Sequence, residues 1–502
     1  MAEQIVDVLI AGAGISGIGM AVHLKQQCPG RSFAMIEQRE DLGGTWNLFQ
    51  YPGIRSDSDM HTLGFEFEPW REQKAIADGP SILNYLHRIT DKHSLRPHMH
   101  FGHKILSASW SSEEALWTLT IETSDGAQKR MQGRFLFMGT GYYDYDQGYD
   151  PVFEGREDFE GQIVHPQFWP KDLDYSGKKV VIIGSGATAV TLVPNMADTA
   201  GHVTMLQRTP TWYAVRPAKD AIANFLRAIM PDQWAYNIIR KRNVWLQNWF
   251  FNRAKSKPDT VAKNLMKNVK KSLGREPDAT TFTPPYNPWD QRLCLVPDGD
   301  MFVAMREGRA SIVTDHIERF TKTGIQLKSG EHLDADIIVT ATGLKLAMAG
   351  KVAFNIDGQA TDFTDRFYYK GCMFSNVPNM AIVFGYLNAS WTLKVDIVAN
   401  YVCRILNRMQ QQGAAIVMPQ LDNPDALPEE QELFGGFSSG YVQRASSILP
   451  KQGADMPWRL TQDYLFERNV LLNDPLEDGV LTFSAAGAVE RPEAEPIAEA
   501  AE

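Results

Sequence analysis

The chain has 502 residues, 44% of them hydrophobic and 22% charged, with a formal net charge of −10. This length suits about three domain-sized units with buried cores, and the acidic balance argues against non-specific nucleic-acid binding. No uncharged apolar run approaches the roughly 18 residues that a membrane span needs. Cys28, Cys294, Cys372 and Cys403 are scattered, with no CxxC pair and no metal-ligand spacing, which fits a reducing compartment without zinc or a redox disulfide. A strand that starts by residue 5 leaves no room for a signal peptide, so a cytoplasmic location is expected.

In chain order, the apolar run Ile5–Ile10 enters Gly12-Ala13-Gly14-Ile15-Ser16-Gly17, and a helical pattern (Ile18, Met20, Val22, Leu24) follows. Glu37 lies about twenty residues beyond the last glycine, the spacing of a dinucleotide fingerprint. The first glycine allows the tight turn, the second lets backbone approach pyrophosphate, and the third packs helix on strand. The helix N-terminus faces the phosphates. Glu37 can accept hydrogen bonds from ribose hydroxyls, so this loop suits an unphosphorylated ribose such as that of FAD. The first α/β unit is expected over residues 1–145 and closes with Phe135–Met138 running into Gly139-Thr140-Gly141.

A second loop, Gly184-Ser185-Gly186-Ala187-Thr188-Ala189, is entered from Lys179–Ile183 and followed by Arg208. An arginine there would pair with a 2′-phosphate, so this loop suits NADPH. The second unit is expected over 150–214 and again over 290–369, where Ile337–Thr340 runs into Ala341-Thr342-Gly343. Pro194 is expected to kink the helix after the second loop.

Residues 215–289 break the α/β rhythm. They are helical in pattern, rich in bases such as Arg240, Lys241, Arg242, Lys263 and Lys267, and interleaved with Trp234, Trp245 and Trp249. Two readings stay open: an insertion whose aromatic face packs over the substrate mouth, or a basic amphipathic surface that rests on anionic lipid and admits apolar substrate. The first unit is expected to resume over 370–483, and the Ala-, Glu- and Pro-rich tail 484–502 to be disordered. The fold class is therefore α/β, with two Rossmann-like dinucleotide-binding domains and a helical insertion in the second.

Two nucleotides in one chain imply hydride transfer from NADPH to flavin. A disulfide reductase would need a redox cysteine pair in the first unit, and Cys28 has no partner there. Two longer motifs are more specific. Phe159-Glu160-Gly161 through His165 to Trp169-Pro170 resembles the FxGxxxHxxxWP signature of Baeyer–Villiger monooxygenases, and Gly43-Gly44-Thr45-Trp46 through Tyr51-Pro52-Gly53 to Asp57 resembles their GGxWxxxxYPGxxxD signature. Tyr286–Cys294 and Gly385–Lys394 resemble the ethionamide-activating subgroup, and the likeness covers nearly the whole chain apart from the tail.

The resemblance implies a reaction in which NADPH reduces FAD, O2 adds at the flavin C4a carbon, and retained NADP⁺ protects the peroxide. An open-chain aliphatic ketone would then become an ester, with oxidation of sulfides and thioamides as a further activity. Arg292 aligns with the family's catalytic arginine, whose fixed charge serves peroxide and oxyanion, and Asp57 with the carboxylate that holds it. On the same basis the FAD site is assigned to Gly12, Gly14, Ser16, Gly17 and Glu37, joined by Gly44, Thr45, Trp46, Asp57 and Ile105. The NADPH site is assigned to Arg55 and Ser56, to Gly184, Ser185, Gly186, Ala187, Thr188, Ala189 and Val190, and to Arg208 with Thr209. Gln291 stands where many relatives carry a lysine that helps read the 2′-phosphate, so discrimination against NADH is expected to be weaker. His165 is read as a linker-positioning hydrogen bonder rather than a general base. The rival readings are a flavin-containing monooxygenase acting on soft N or S atoms and a non-oxygenating NADPH oxidase.

Overall fold

The computed structural model describes residues 5–424, 427 and 439–487. The first unit opens with β1 (Ile5–Ala11), α1 (Ile15–Gln27) and β2 (Phe33–Ile36). The short turns α2 (Thr45–Leu48) and α3 (Met60–Leu63) and the longer α4 (Gly79–Lys92) follow. Then come β3 (Met99–His100), β4 (His103–Ser111), β5 (Leu116–Thr123) and β6 (Gln128–Met138). Strands β1, β2, β3 and β6 are parallel, while β4 and β5 form an antiparallel meander that joins the early half of β6. Val8 and Ile10 enter one core and Leu9 and Ala11 the other, so β1 is covered on both faces and reads as a continuous apolar run.

The second unit contributes β7 (Gln162–Val164), β8 (Lys179–Ile183), α5 (Ala187–Ala197) and β9 (His202–Gln207). From β10 (Tyr213–Arg216) the chain leaves for the insertion: α6 (Ala221–Ile229), α7 (Asp232–Ser256), α8 (Pro258–Leu273) and α9 (Ala279–Phe282). It returns at β11 (Cys294–Pro297), which pairs in parallel with β10, so the insertion hangs from a two-stranded neck. After α10 (Asp300–Arg306) come β12 (Ala310–Thr314), the meander β13 (Ile317–Thr321), β14 (Gly324–Leu327) and β15 (His332–Asp334), and β16 (Ile337–Thr340). The parallel order β12-β9-β8-β16-β7 completes the second sheet. Pro194 sits buried within α5, which continues through it to Ala197.

Two expected boundaries move. The strand β17 (Ala353–Ile356), with its hairpin partner β18 (Gln359–Thr361), pairs with β4 of the first sheet, so the second unit does not extend to 369. Phe354 gains its burial there against Trp117, with ring centroids 6.1 Å apart. The remaining first-unit elements used below are α11 (Trp391–Gln412), α12 (Gly440–Arg444) and α13 (Tyr464–Asn473). Ser484 closes the strand Leu481–Ser484, which pairs with Ile416–Pro419, so the tail cannot begin at 484; residues 488–502 lie outside the described residues.

The insertion is helical, as its pattern suggests, and its aromatics divide between two sides: Tyr236 is buried and Phe251 packs on Trp289, whereas the tryptophans of α7 face solvent. Trp234, Trp245 and Trp249 are 51–70% exposed. What α7 turns inward is mixed: Ala235, Tyr236 and Ile239 are buried beside the polar Arg240 and Asn243. Arg240 donates to the carbonyls of His61, Thr62 and Gly64 and to Asp396 Oδ2 at 2.8 Å, while Asn243 and Gln247 donate to Asp59. Asp59 also caps α3 by accepting from the His61 amide.

Candidate active site

The carboxyl ends of β1 and β6 open a crevice where helix and loop backbones come close. At Gly12 the chain turns with φ +97°, a conformation that side chains rarely adopt. A Cβ on Gly17 would lie 1.9 Å from the Gly12 carbonyl oxygen, so α1 can seat on this turn only without a side chain there. Glu37 is 5% exposed; its Oε2 accepts from the Ala13 amide at 2.8 Å and its Oε1 from the Arg39 amide at 2.9 Å. Burial raises its carboxyl pKa, and those backbone donors oppose the rise.

One cavity of about 600 Å³ runs from Glu37 and Ile105, past Gly12, Gly14, Gly44, Thr45 and Trp46, to Asp57, Arg292 and Thr188. One end, lined by Glu37 and the β4 residues Lys104 and Ile105, leads to a bare cradle where Gly14 and Gly44 meet. A Cβ on Gly44 would lie 3.1 Å from the Gly14 Cα. An acid beside the loop, glycine backbone along its floor and a helix N-terminus at its bend fit FAD.

At the other end three segments converge. Arg292 precedes β11, Asp57 ends the Tyr-Pro-Gly segment, and Leu387 precedes α11. The arginine Nη1 donates to Asp57 Oδ2 at 3.0 Å, and Nε donates to the Leu387 carbonyl at 3.3 Å. Burial disfavours the Arg292 charge, but the Asp57 carboxylate together with Tyr441, Tyr142 and Tyr143 outweighs it, so the pKa rises and the guanidinium stays cationic. Both side chains are about a third exposed and both line the cavity.

The wall between these ends is aromatic. Tyr142 stacks on Trp391 with centroids 4.9 Å apart and shares a 2.8 Å hydroxyl hydrogen bond with Tyr143. Trp391 opens α11, and its indole Nε1 donates to Ser16 Oγ at 2.9 Å. Ser16, assigned to the cofactor from sequence, thus has its hydroxyl engaged with the α11 N-terminus. Burial pushes the Tyr51 phenol up to about 12, with a hydrogen bond to Thr188 opposing it, so the Tyr-Pro-Gly segment touches the second loop as a neutral phenol. A Cβ on Gly53 would lie 2.1 Å from the Asn195 amide carbon, which shows how closely that segment rests on α5. Cys294 is driven up to about 12 by burial and is a thiol at neutral pH.

The second loop divides the residues assigned to NADPH. Gly184 turns with φ +137° against the Ala341 carbonyl, and Gly186 has open space where its Cβ would be. Ser185 Oγ donates to the Thr209 carbonyl at 3.0 Å, tying the loop to the exposed Arg208 beyond β9. Ala187 and Thr188 line the cavity, whereas Ala189 and Val190 are core residues of α5 and offer no side chain to a ligand. Arg55 is paired with Asp300, although it also borders the cavity. Ser56 is 2% exposed, and its hydroxyl donates to the Ser58 carbonyl at 2.6 Å; its side chain closes a turn. His165 lies outside the cavity: its Nδ1 accepts from the Gln167 amide at 3.2 Å, and its ring lies under Gly148 of the linker. Burial lowers its pKa.

Sequence reasoning passed over Tyr142, Tyr143, the role of Trp391 and the Leu387 carbonyl. The Tyr-Tyr pair directly after Gly139-Thr140-Gly141 was the available signal, since a strand exit beside a nucleotide loop places the next side chains in the crevice.

Comparison with known proteins identifies the family. The family model for pyridine nucleotide-disulphide oxidoreductases matches residues 9–232. The chain is 50% identical over 486 residues, 97% of each chain, to the probable FAD-binding monooxygenase AlmA of Acinetobacter sp.. It is 49% identical over 480 residues to the FAD-containing monooxygenase EthA of Mycobacterium tuberculosis, covering 95% of this chain and 97% of that one. The chain belongs to the FAD-containing monooxygenase family. Its fold is that of cyclohexanone monooxygenase from Rhodococcus sp. Phi1, solved with bound NADP⁺, with a TM-score of 0.74 at 18% identity over 97% of this chain and all of that one. All four cysteines are free and buried; Cys28 does meet a second cysteine, Cys403, within the first unit, but neither lines the cavity.

Proposed function

We propose that this monooxygenase carries out Baeyer–Villiger oxidation, converting open-chain aliphatic ketones to esters with NADPH and O2, and oxidising sulfides and thioamides at sulfur. The observation that carries this reading is Arg292, held by Asp57 and the Leu387 carbonyl at the end of the cavity where the two nucleotide units meet. FAD would lie along Gly12–Gly17, Glu37 and Gly44–Trp46, and NADPH would reach it from Thr188, Gly186 and Arg208. Bound there, the pair supplies the hydride and the oxygen-activating ring.

What the chain itself contributes is charge, orientation and dryness. Arg292 presents a permanent cation to the carbonyl oxygen, whose negative charge grows as its carbon becomes tetrahedral. Asp57 fixes the direction of that guanidinium rather than taking a proton. Tyr142, Tyr143 and Trp391 keep water from the reacting centre, and their apolar surfaces suit a substrate whose only polar group is the carbonyl.

Arg292→Ala tests the assignment. Flavin content and NADPH-driven flavin reduction are expected to stay near wild type, while ester formation from a linear 2-ketone falls about 10²–10³-fold, the usual loss for one preorganised oxyanion donor. Ester formation at the wild-type rate would remove Arg292 from the reaction. A wild-type enzyme giving S-oxides but no esters would place the chemistry at soft heteroatoms, and one giving hydrogen peroxide alone would make it an oxidase.

A further inference from the structure

We propose that the α6–α7 face docks on the surface of an anionic lipid bilayer. Helix α7 carries its tryptophans outward. Trp234, Ile238, Trp245 and Trp249 of α7 are spaced by 4, 7 and 4 residues, which at about 100° per residue places them within an arc of about 60°. All four are exposed, and so is Lys241 on the same stripe. The opposite side of α7 buries Tyr236, Arg240 and Asn243 against the first unit. Packed on α7, α6 adds Ile222, Phe225 and Ile229 at 56–62% exposure. A soluble surface normally turns such residues inward, and a run of exposed indoles and large aliphatics marks an interaction site. Tryptophan in particular settles at the boundary between headgroups and acyl chains.

Charge selects the occupant. Residues 221–275 hold twelve Lys and Arg against two Asp, +10 within a chain of −10, so the rest of the molecule carries −20. Arg240, Arg242, Lys255 and Lys270 are engaged in ion pairs, whereas Lys241, Lys257, Lys263, Lys267 and Lys271 are exposed. A second copy joined through a twofold axis at this face would bring basic helix against basic helix. An anionic bilayer offers apolar depth to the α6–α7 stripe and negative headgroups to Lys241 on it and to the lysines of the adjoining α8. No helix among the described residues is long and apolar enough to cross a membrane, so the contact is lateral. The inner side of α7 also borders a small cleft, through Val244 and Phe251, together with Asn388 and Ala389; Ala389 lines the main cavity as well. That cleft lies behind the docking face, and the docking itself does not depend on the ketone reading.

The test is cosedimentation of the full-length, FAD-loaded enzyme with phosphatidylcholine vesicles, with and without phosphatidylserine, at low and high salt. Wild type is expected to pellet with phosphatidylserine vesicles at low salt, with a blue shift of tryptophan emission, and to be released by high salt. The double variant Trp245→Ala/Trp249→Ala and the single variant Lys241→Glu should each lower the vesicle partition about tenfold or more while flavin content and NADPH oxidation stay unchanged. No pelleting of wild type at low salt overturns the proposal, as does unchanged pelleting of the double variant. Sedimentation velocity supplies the remaining arm: a dimer that the Trp245→Ala/Trp249→Ala change splits, with no vesicle binding, would assign the face to a second copy instead.

Discussion

Removing the charge that anchors the insertion, by Arg240→Met, is expected to be among the most destabilising single changes at this surface of the first unit. Arg240 is 6% exposed and Asp396 1%, so neither charge has water to fall back on. Methionine keeps much of the arginine stem but deletes the bonds to three carbonyls and to Asp396. Asp396 would retain His23 and the Glu66 amide, which accounts for only part of its charge. Breaking a buried pair in this way costs about 3–5 kcal/mol. With an unfolding entropy of about 2 cal/mol/K per residue, a chain of this length loses about 1 kcal/mol of stability per degree near Tm, so the shift should be about 3–5 °C. The assay is thermal unfolding followed by flavin release, in a cycle with Asp396→Asn and the double variant. The double variant should be less destabilised than the sum of the singles, because it leaves no lone charge. A Tm for Arg240→Met within about 1 °C of wild type, or strict additivity, would show that the pair does not hold the insertion.

Gly17→Ala should yield protein with much less flavin than wild type, measured as the visible-to-ultraviolet absorbance ratio, because its Cβ would fall 1.9 Å from the Gly12 oxygen. Arg208→Ala should raise the KM for NADPH far more than that for NADH in flavin-reduction assays; equal effects would end the 2′-phosphate role. Lys351→Met should shift acid unfolding to higher pH. Burial alone would raise the Asp144 carboxyl pKa, but the Lys351 ammonium at 2.5 Å, the Asp146 amide and Gln147 bring it below 3.8. Its stabilising contribution is therefore complete above 3.8 and is lost as pH falls through the depressed value. Without the lysine that value rises, so loss begins sooner on acidification; superimposable profiles of Tm against pH would refute this.

The parts of the molecule governed by local rules were readable in the chain. Gly12, Gly17 and Gly184 announce their turns because only a missing side chain permits them, and β1 and β8 announce buried parallel strands because both faces are covered. The signature that ends at Asp57 and the family resemblance around Arg292 joined the two across 235 residues. Other features depend on partners that no local pattern encodes. Ala353–Ile356 looks like any short apolar strand, and only its register beside Ser107–Trp110 assigns it to the first sheet. The same limit explains Ser16, whose hydroxyl meets an indole 375 residues away, and Arg55, which finds Asp300. The inward face of α7 was the least legible, since a helix with tryptophans on one side and arginine on the other suggests the opposite orientation unless Asp396 and three backbone carbonyls are known to be waiting.

Arg292 is carried by one nucleotide unit, while both groups that aim it, Asp57 and the Leu387 carbonyl, belong to the other. The guanidinium is consequently a gauge of alignment between the two halves. A rotation that separates the units would break both bonds and release the cation, so on the proposed reading a misassembled enzyme would lose ester formation before losing either nucleotide site.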